Sequence, residues 1–250
     1  MRVIVLAAGM GKRLENKIDF PKCLIEIDGE TLLERYLKIL RHFGLWNIVL
    51  VVGYEHIQII NKLKKKEFKY LQENLRTIYN GNYEKGSILS LYQARGELDG
   101  DILIMDGDMY FEPALVKTIV NSRKKNFFLV DRTAQYDNEA VFLGFSNGRA
   151  ADLARGLRGN YDILGEWAGC LRLSQIGSYM LKKLILEKVS DGDQESGYEF
   201  IIPELFDKIS ISYELVDGIK WVEIDFMDDI ERAKRLGIER LKNECNYSGI

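Results

Sequence analysis

"VIVLAAGMGKRL", residues 3–14, decides how this chain is read. An apolar strand pattern runs straight into Gly9 and Gly11, then into Lys12 and Arg13, with Pro21 and Lys22 a little further on. Glycines lack a Cβ, so a turn built on them can approach an anion closely, and its backbone N–H groups form an anion nest. Three phosphate-binding patterns compete. A P-loop requires G-x-x-x-x-G-K-[ST]. Here the glycines are two apart and Lys12 is followed by Arg13, so that pattern fails. A dinucleotide fingerprint requires a third glycine opening a helix and an acid ending the next strand. Position 14 is Leu14, and the next strand pattern begins only at Asn47. What remains is a strand, a glycine turn and three bases, Lys12, Arg13 and Lys22, a set suited to a polyphosphate. Alone, a G-x-G turn is equally an ordinary strand–helix connection with solvent-facing bases.

Outward from this turn, strand and helix patterns alternate. Apolar runs at 2–8, 47–52, 76–79, 101–106, 126–130, 141–145, 168–174 and 221–225 read as strands. Several are continuous rather than alternating, as expected for parallel strands covered on both faces. Helical patterns occupy 31–44, 56–66, 87–97, 113–124, 175–189, 198–208 and 227–243. The first is the clearest. Thr31 and Glu34 form a T-x-x-E capping box, Leu33, Leu37 and Leu40 keep one face apolar, and Gly44 stands where a left-handed cap belongs. Residues 131–170 read as irregular or hairpin-like, a small acceptor-binding lobe beside the main sheet. With no internal repeat or low-complexity linker, residues 1–250 read as a single domain.

Composition bounds the function. A formal net charge of −3 argues against nucleic acid as the main partner. The basic run "KLKKKEFK" at 62–69 reads as a solvated helix face. No apolar run approaches a membrane span, and "VIVLAA" is too short for a signal-peptide core. Cys23, Cys170 and Cys245 are scattered, which points to a reducing, cytoplasmic setting. With only His42 and His56, no local His/Cys cluster supports a zinc or haem site.

"LAAGMGKRL" followed by "FPKCLIEIDGETLLE" resembles the N-terminal signature of the nucleotidyltransferases that activate phosphorylated sugars, phosphocholine and related small molecules. Lys12 stands where that family usually has Ser or Thr. The resemblance continues through "ILIMDGDMYF" to "WVEIDFMDDIERA", nearly the whole chain. It implies an α/β, three-layer Rossmann-like nucleotidyltransferase fold with a mixed, mainly parallel sheet. It implies Mg²⁺, with Asp108 and Asp225 as ligands. Arg13 would grip the β- and γ-phosphates, and Lys22 the α-phosphate or the acceptor phosphate. Leu6, Ala7, Ala8, Gly9, Gly11, Lys12 and Asp106 would surround the nucleotide, largely through main-chain contacts. Gly86 and Ser87 would start a helix whose N–H groups meet an acceptor oxygen. "NYEKGSILSL" resembles the matching piece of phosphocholine-type cytidylyltransferases, which favours CTP over another NTP.

The chemistry suits a chain without a Ser–His pair. A phosphate monoester has a second pKa of about 6, so the acceptor is largely ionised at neutral pH and needs no general base. Positioning and charge neutralisation carry the transfer. The expected acceptor is a small phosphorylated or phosphonate molecule. Its candidate contacts are Asp131, Arg132, Tyr136, Asp137, Glu166, Trp167, Tyr198 and Glu199, with Glu166 and Trp167 of "GEWAG" suited to an ammonium group. Arg132, Arg155 and Arg158 would instead suit a further anionic group, and "RGLRGNYD" at 155–162 reads as a glycine-containing flap. A sugar-1-phosphate or molybdenum-cofactor-type nucleotidyltransferase, an inactive nucleotide-binding subunit and a homodimer are left open.

Overall fold

The computed structural model describes residues 1–14, 18–71 and 74–241. In chain order these form β1 (Arg2–Ala7), β2 (Glu26–Ile27), β3 (Glu30–Thr31), α1 (Leu32–His42), β4 (Ile48–Val52), α2 (His56–Leu63), β5 (Leu75–Tyr79) and α3 (Ile88–Gln93). There follow β6 (Ile102–Asp106), β7 (Met109–Phe111), α4 (Ala114–Asn121), β8 (Phe127–Asp131), β9 (Val141–Ser146), β10 (Arg149–Arg155) and β11 (Ile163–Leu173). The last elements are α5 (Gln175–Ser190), α6 (Tyr198–Ile201), β12 (Ser212–Leu215), β13 (Trp221–Glu223) and α7 (Met227–Arg235).

The continuous apolar strands are explained by two cores. Val3, Val5, Leu50, Leu103 and Met105 point to one face of the sheet, where α1, α2 and α4 bring Leu33, Leu37, Ile59 and Leu115. Their neighbours Ile4, Val49, Val51 and Ile104 point to the other face, against Leu91, Leu181, Ile185 and Ile201 of α3, α5 and α6. A strand buried on both faces must be apolar at every position, and helices on both faces make three layers. The sheet runs β10-β9-β11-β6-β1-β4-β5. β6, β1, β4 and β5 are parallel, and β8, β9, β10 and β11 add mostly antiparallel pairs. The sheet is thus mixed, with its parallel part around β1.

β1 pairs with β4 on one side and with β6 on the other. Chain order reverses there, and open α/β sheets bind ligands beyond the strand ends at such a point. α1 keeps half of the capping box its sequence suggested. Thr31 Oγ1 accepts from the Glu34 N–H at 3.2 Å, and Gly44 closes the helix at φ +75°. Glu34's own carboxylate pairs with Lys38 at 2.8 Å.

Other segments differ from the sequence reading for local reasons. Residues 131–170 are hairpin-like as read, with β9 and β10 paired antiparallel, but with most of β11 they join the central sheet. The helix expected over 198–208 is the short α6 followed by a 3-10 turn at Ile202–Leu205, because Pro203 has no N–H to continue an α-helix. The helix expected over 227–243 stops at Arg235, and Gly237 turns the chain at φ +57°. Positions 242–243 and Cys245 lie outside the described residues. Cys23 and Cys170 are buried free thiols. Among the described residues no helix is long and apolar enough to cross a membrane.

Candidate active site

The glycine turn is anchored at both ends. β1 leads into it, and Leu14 leaves it fully buried in a third apolar cluster with Ile25, Tyr110, Val222 and Ile224. Burying such a side chain is worth about 1.5–3 kcal/mol, so the turn is held in place although its polar atoms face outward. Nothing lies within 4 Å of where a Cβ on Gly9 would stand, which leaves the backbone bare. Gly11 takes φ +65°, a conformation that favours glycine, and the stem of Lys22 runs against it.

β6 ends beside the turn. Leu6 is level with Asp106, and the Gly107 N–H donates to the Leu6 carbonyl at 2.9 Å. A Cβ on Gly107 would stand 2.6 Å from that oxygen, so only glycine allows this approach. Asp108 follows directly. β7 and β13 then pair antiparallel, and the Ile224 N–H donates to the Asp108 carbonyl at 2.9 Å. This ribbon carries Asp225 to Asp108 from the far end of the chain. Asp229, in the first turn of α7, accepts from the N–H groups of Asp225 and Phe226 at 3.0 and 2.8 Å, and so fixes the backbone that presents Asp225.

The charged groups meet here. Lys22 Nζ lies 2.6 Å from Asp225 Oδ1 and 3.1 Å from Asp108 Oδ2. Arg13 donates to Asp225 Oδ2 at 2.7 Å and lies over the Phe226 ring. Burial opposes the Lys22 charge, but Asp108 and Asp225 outweigh it and raise its pKa. Burial likewise pushes Asp225 up, and Lys22 and Arg13 more than offset it, holding the carboxyl below its ordinary range. Glu223 stands two residues before Asp225. Its carboxylate, with those of Asp108 and Asp225, presents oxygens all within 4.8 Å of one another. Glu223 was missed from sequence; the available signal was the i, i+2 spacing that puts Trp221, Glu223 and Asp225 on one side of an extended segment. Three hard oxygen donors beside a phosphate-binding turn fit Mg²⁺, which takes one or two carboxylates and leaves positions for substrate phosphates.

A cleft of about 760 Å³ opens from this cluster. Leu6, Ala8, Gly9, Arg13, Asp108 and Asp225 line it beside the glycine turn, Ser87, Asp106, Tyr198 and Glu199 form a hydrogen-bonded group in its wall, and Asp131, Glu166 and Trp167 line it from β8 and β11. Asp106 is held by the Tyr198 hydroxyl at 2.9 Å, while burial and then Asp108 and Glu199 push its carboxyl well up. Glu166 faces Asp131 across the β8–β11 pair. Burial, then the Asp131 carboxylate, raise it to about 7, with Arg232 opposing. Asp131 is satisfied by Thr133 and by the indole N–H of Trp221 at 3.0 Å.

Several expected contacts are placed elsewhere. Trp167 is only 6% exposed. Its N–H donates to the Cys170 carbonyl, and Phe128 and Tyr198 pack on its ring, so it forms the wall rather than an open cation-binding face. Trp221, partly buried against the first core with its N–H given to Asp131, also lines the cleft. Arg132 lies off the cleft, pinned to Asp217 at 2.7 Å. Ala7 packs against the first core. Lys12 is exposed and reaches the Glu84 carbonyl. The N–H groups of Gly86 and Ile88 are taken by the carbonyls of Gln194 and Ser196, which leaves Gly86 no donor for an acceptor. Ser87 accepts from the Tyr198 N–H at 2.8 Å.

A switch-point cleft with a bare glycine turn, two cations and converging carboxylates has the groups that nucleotidyl transfer requires. The chain belongs to the MobA-like NTP transferase domain family, whose model matches residues 3–169. The bifunctional IPC transferase and DIPP synthase of Aquifex aeolicus is 28% identical over 238 residues, covering 93% of this chain and 50% of that protein. The chain thus spans about half the length of such bifunctional relatives. The CTP:phosphoglutamine cytidylyltransferase of Campylobacter jejuni is 23% identical over 256 residues, covering 92% of this chain and 98% of the relative. Among solved structures, the CTP:phosphocholine cytidylyltransferase from Streptococcus pneumoniae shares the fold, with a TM-score of 0.74 at 18% identity over 94% of this chain and 98% of that one.

Proposed function

We propose that this chain moves CMP from CTP onto the phosphate of a small acceptor that carries a cationic group, and releases pyrophosphate. The observation that carries the reading is the meeting of Arg13, Lys22, Asp108 and Asp225 at the glycine turn, at one end of a cleft whose other end is rich in carboxylates. The preference for CTP is supported by the cytidylyltransferase relatives of near-equal length.

An acceptor phosphate oxygen attacks the α-phosphorus, the bond to the β-phosphate oxygen breaks, and pyrophosphate leaves with the electron pair. Asp108 and Asp225, with Glu223 beside them, would hold Mg²⁺, which supplies charge neutralisation between the two anionic reactants. The bare backbone at Gly9 accommodates the nucleotide phosphates. Arg13 turns its guanidinium from Asp225 to the leaving pyrophosphate, and Lys22 bridges the α-phosphate and the acceptor phosphate. No side chain need take a proton from the nucleophile. At the far end Glu166, Asp131 and the Trp221 ring form an acidic, partly aromatic seat for an ammonium group, of the kind cation–π attraction favours.

The test is a pyrophosphate-release screen crossing the four NTPs with phosphocholine, phosphoethanolamine, 2-aminoethylphosphonate, an inositol phosphate and glucose-1-phosphate. CTP with a cationic acceptor should be the best pair, and Asp108→Asn and Asp225→Asn should each lose turnover without losing the fold. A neutral sugar phosphate as the best acceptor would remove the acceptor reading. Near-normal turnover in either variant would remove the metal site.

A further inference from the structure

We infer that Lys22 is the resident cation of the metal site, so that a divalent ion enters only together with, or after, the nucleotide that draws Lys22 away. This rests on the reading of Asp108 and Asp225 as metal ligands. Both Asp225 oxygens are paired with cations, Oδ1 with Lys22 at 2.6 Å and Oδ2 with Arg13 at 2.7 Å. Asp108 Oδ2 is held by the same lysine at 3.1 Å. The Lys22 ammonium therefore bridges two of the carboxylates that would hold an incoming ion. Its side chain is 12% exposed, and its stem is packed on the backbone at Gly11, so it cannot step aside into solvent at no cost.

A metal ion arriving alone meets two obstacles. It must break two charge-assisted hydrogen bonds, and it must then sit beside an ammonium of the same sign. A nucleotide removes both, because its phosphates offer Lys22 and Arg13 new anionic partners within the same turn. Metal and nucleotide affinities are then coupled, and the coupling is reciprocal. The lysine acts as an interlock: Asp225 is released to the ion when the phosphates are present to receive the lysine.

The experiment measures Mn²⁺ binding to the full chain without nucleotide, by loss of the free-ion electron paramagnetic resonance signal. Wild type should bind weakly. Lys22→Met keeps the packed stem and removes the charge, and it should bind Mn²⁺ more tightly by about tenfold or more. The gain should vanish in Lys22→Met combined with Asp225→Asn. Lys22→Gln gives the same comparison should the methionine variant fail to fold. Equal Mn²⁺ affinity in wild type and in a folded lysine variant overturns the inference. In that case Asp225-dependent Mn²⁺ uptake by wild type in the presence of CTP would leave the ligand reading standing. No Asp225-dependent uptake with or without CTP would remove the ligand reading and the interlock with it.

Discussion

Replacing Glu166 by glutamine isolates the acceptor end of the cleft. Glu166 faces Asp131 across two paired strands, and burial followed by that neighbouring charge raises its carboxyl from 4.5 to about 7. The folded protein therefore binds this proton more tightly than the unfolded chain does. The resulting stability is fully present below pH 4.5 and is lost as the pH rises through about 7. At 1.36 kcal/mol per pH unit between the two values, full ionisation costs the fold on the order of 3 kcal/mol. Glutamine carries no such charge. In urea unfolding, the free-energy difference between Glu166→Gln and wild type should shift in favour of the variant by on the order of 2–3 kcal/mol from about pH 5 to about pH 8. An ammonium acceptor needs the ionised form, so the wild-type KM for phosphocholine should fall over the same pH range. The acceptor phosphate also titrates there, but it does so equally in both proteins, so the ratio of the two KM values reports Glu166. A stability difference flat in pH, together with parallel KM profiles, would show that Glu166 is an ordinary solvated acid with no part in the acceptor seat.

Asp229→Ala removes the acceptor for the Asp225 and Phe226 N–H groups; stability should drop by about 1 kcal/mol, and half-maximal turnover should need more Mg²⁺. Gly107→Ala puts a methyl 2.6 Å from the Leu6 carbonyl and should cost about 1–3 kcal/mol in urea unfolding as β6 is pushed from β1. Arg13→Ala should lower turnover by roughly 10²–10³ while CMP, which has no β- or γ-phosphate, binds about as before; equal weakening of CMP and CTP by calorimetry would place Arg13 elsewhere.

The parts of the fold that were legible in sequence are those whose local signal and tertiary role agree. β1, β4 and β6 are apolar throughout because both faces are buried, and α1 carries its own cap and stripe. β10 and β12 were not legible. "RAADLAR" is mostly exposed and "SYEL" is half-buried along its length, so neither presents a continuous or alternating apolar run. The charge cluster at the glycine turn was readable because the turn and the acids at strand ends are short-range features. The packing around Glu166 and Asp131 was not, because it draws on elements far apart in the chain. Trp167 adjoins Glu166 and both line the cleft, but the Trp167 ring is packed by Phe128 and Tyr198. The indole that reaches the acids is Trp221, delivered from another element by a pairing that no local pattern announces.

The carboxylate that completes the charge cluster is supplied very late. Asp225 meets Lys22 across 203 residues of chain and Arg13 across 212. A polypeptide emerging from the ribosome forms β1, α1 and β4 long before the ribbon of β7 and β13 can close. Closing so long a loop is among the slower steps open to a chain of this kind. Until then the glycine turn is a cradle for phosphates with no second acid opposite it. A chain halted before Trp221 lacks β13 and Asp225 and cannot assemble the pair of carboxylates.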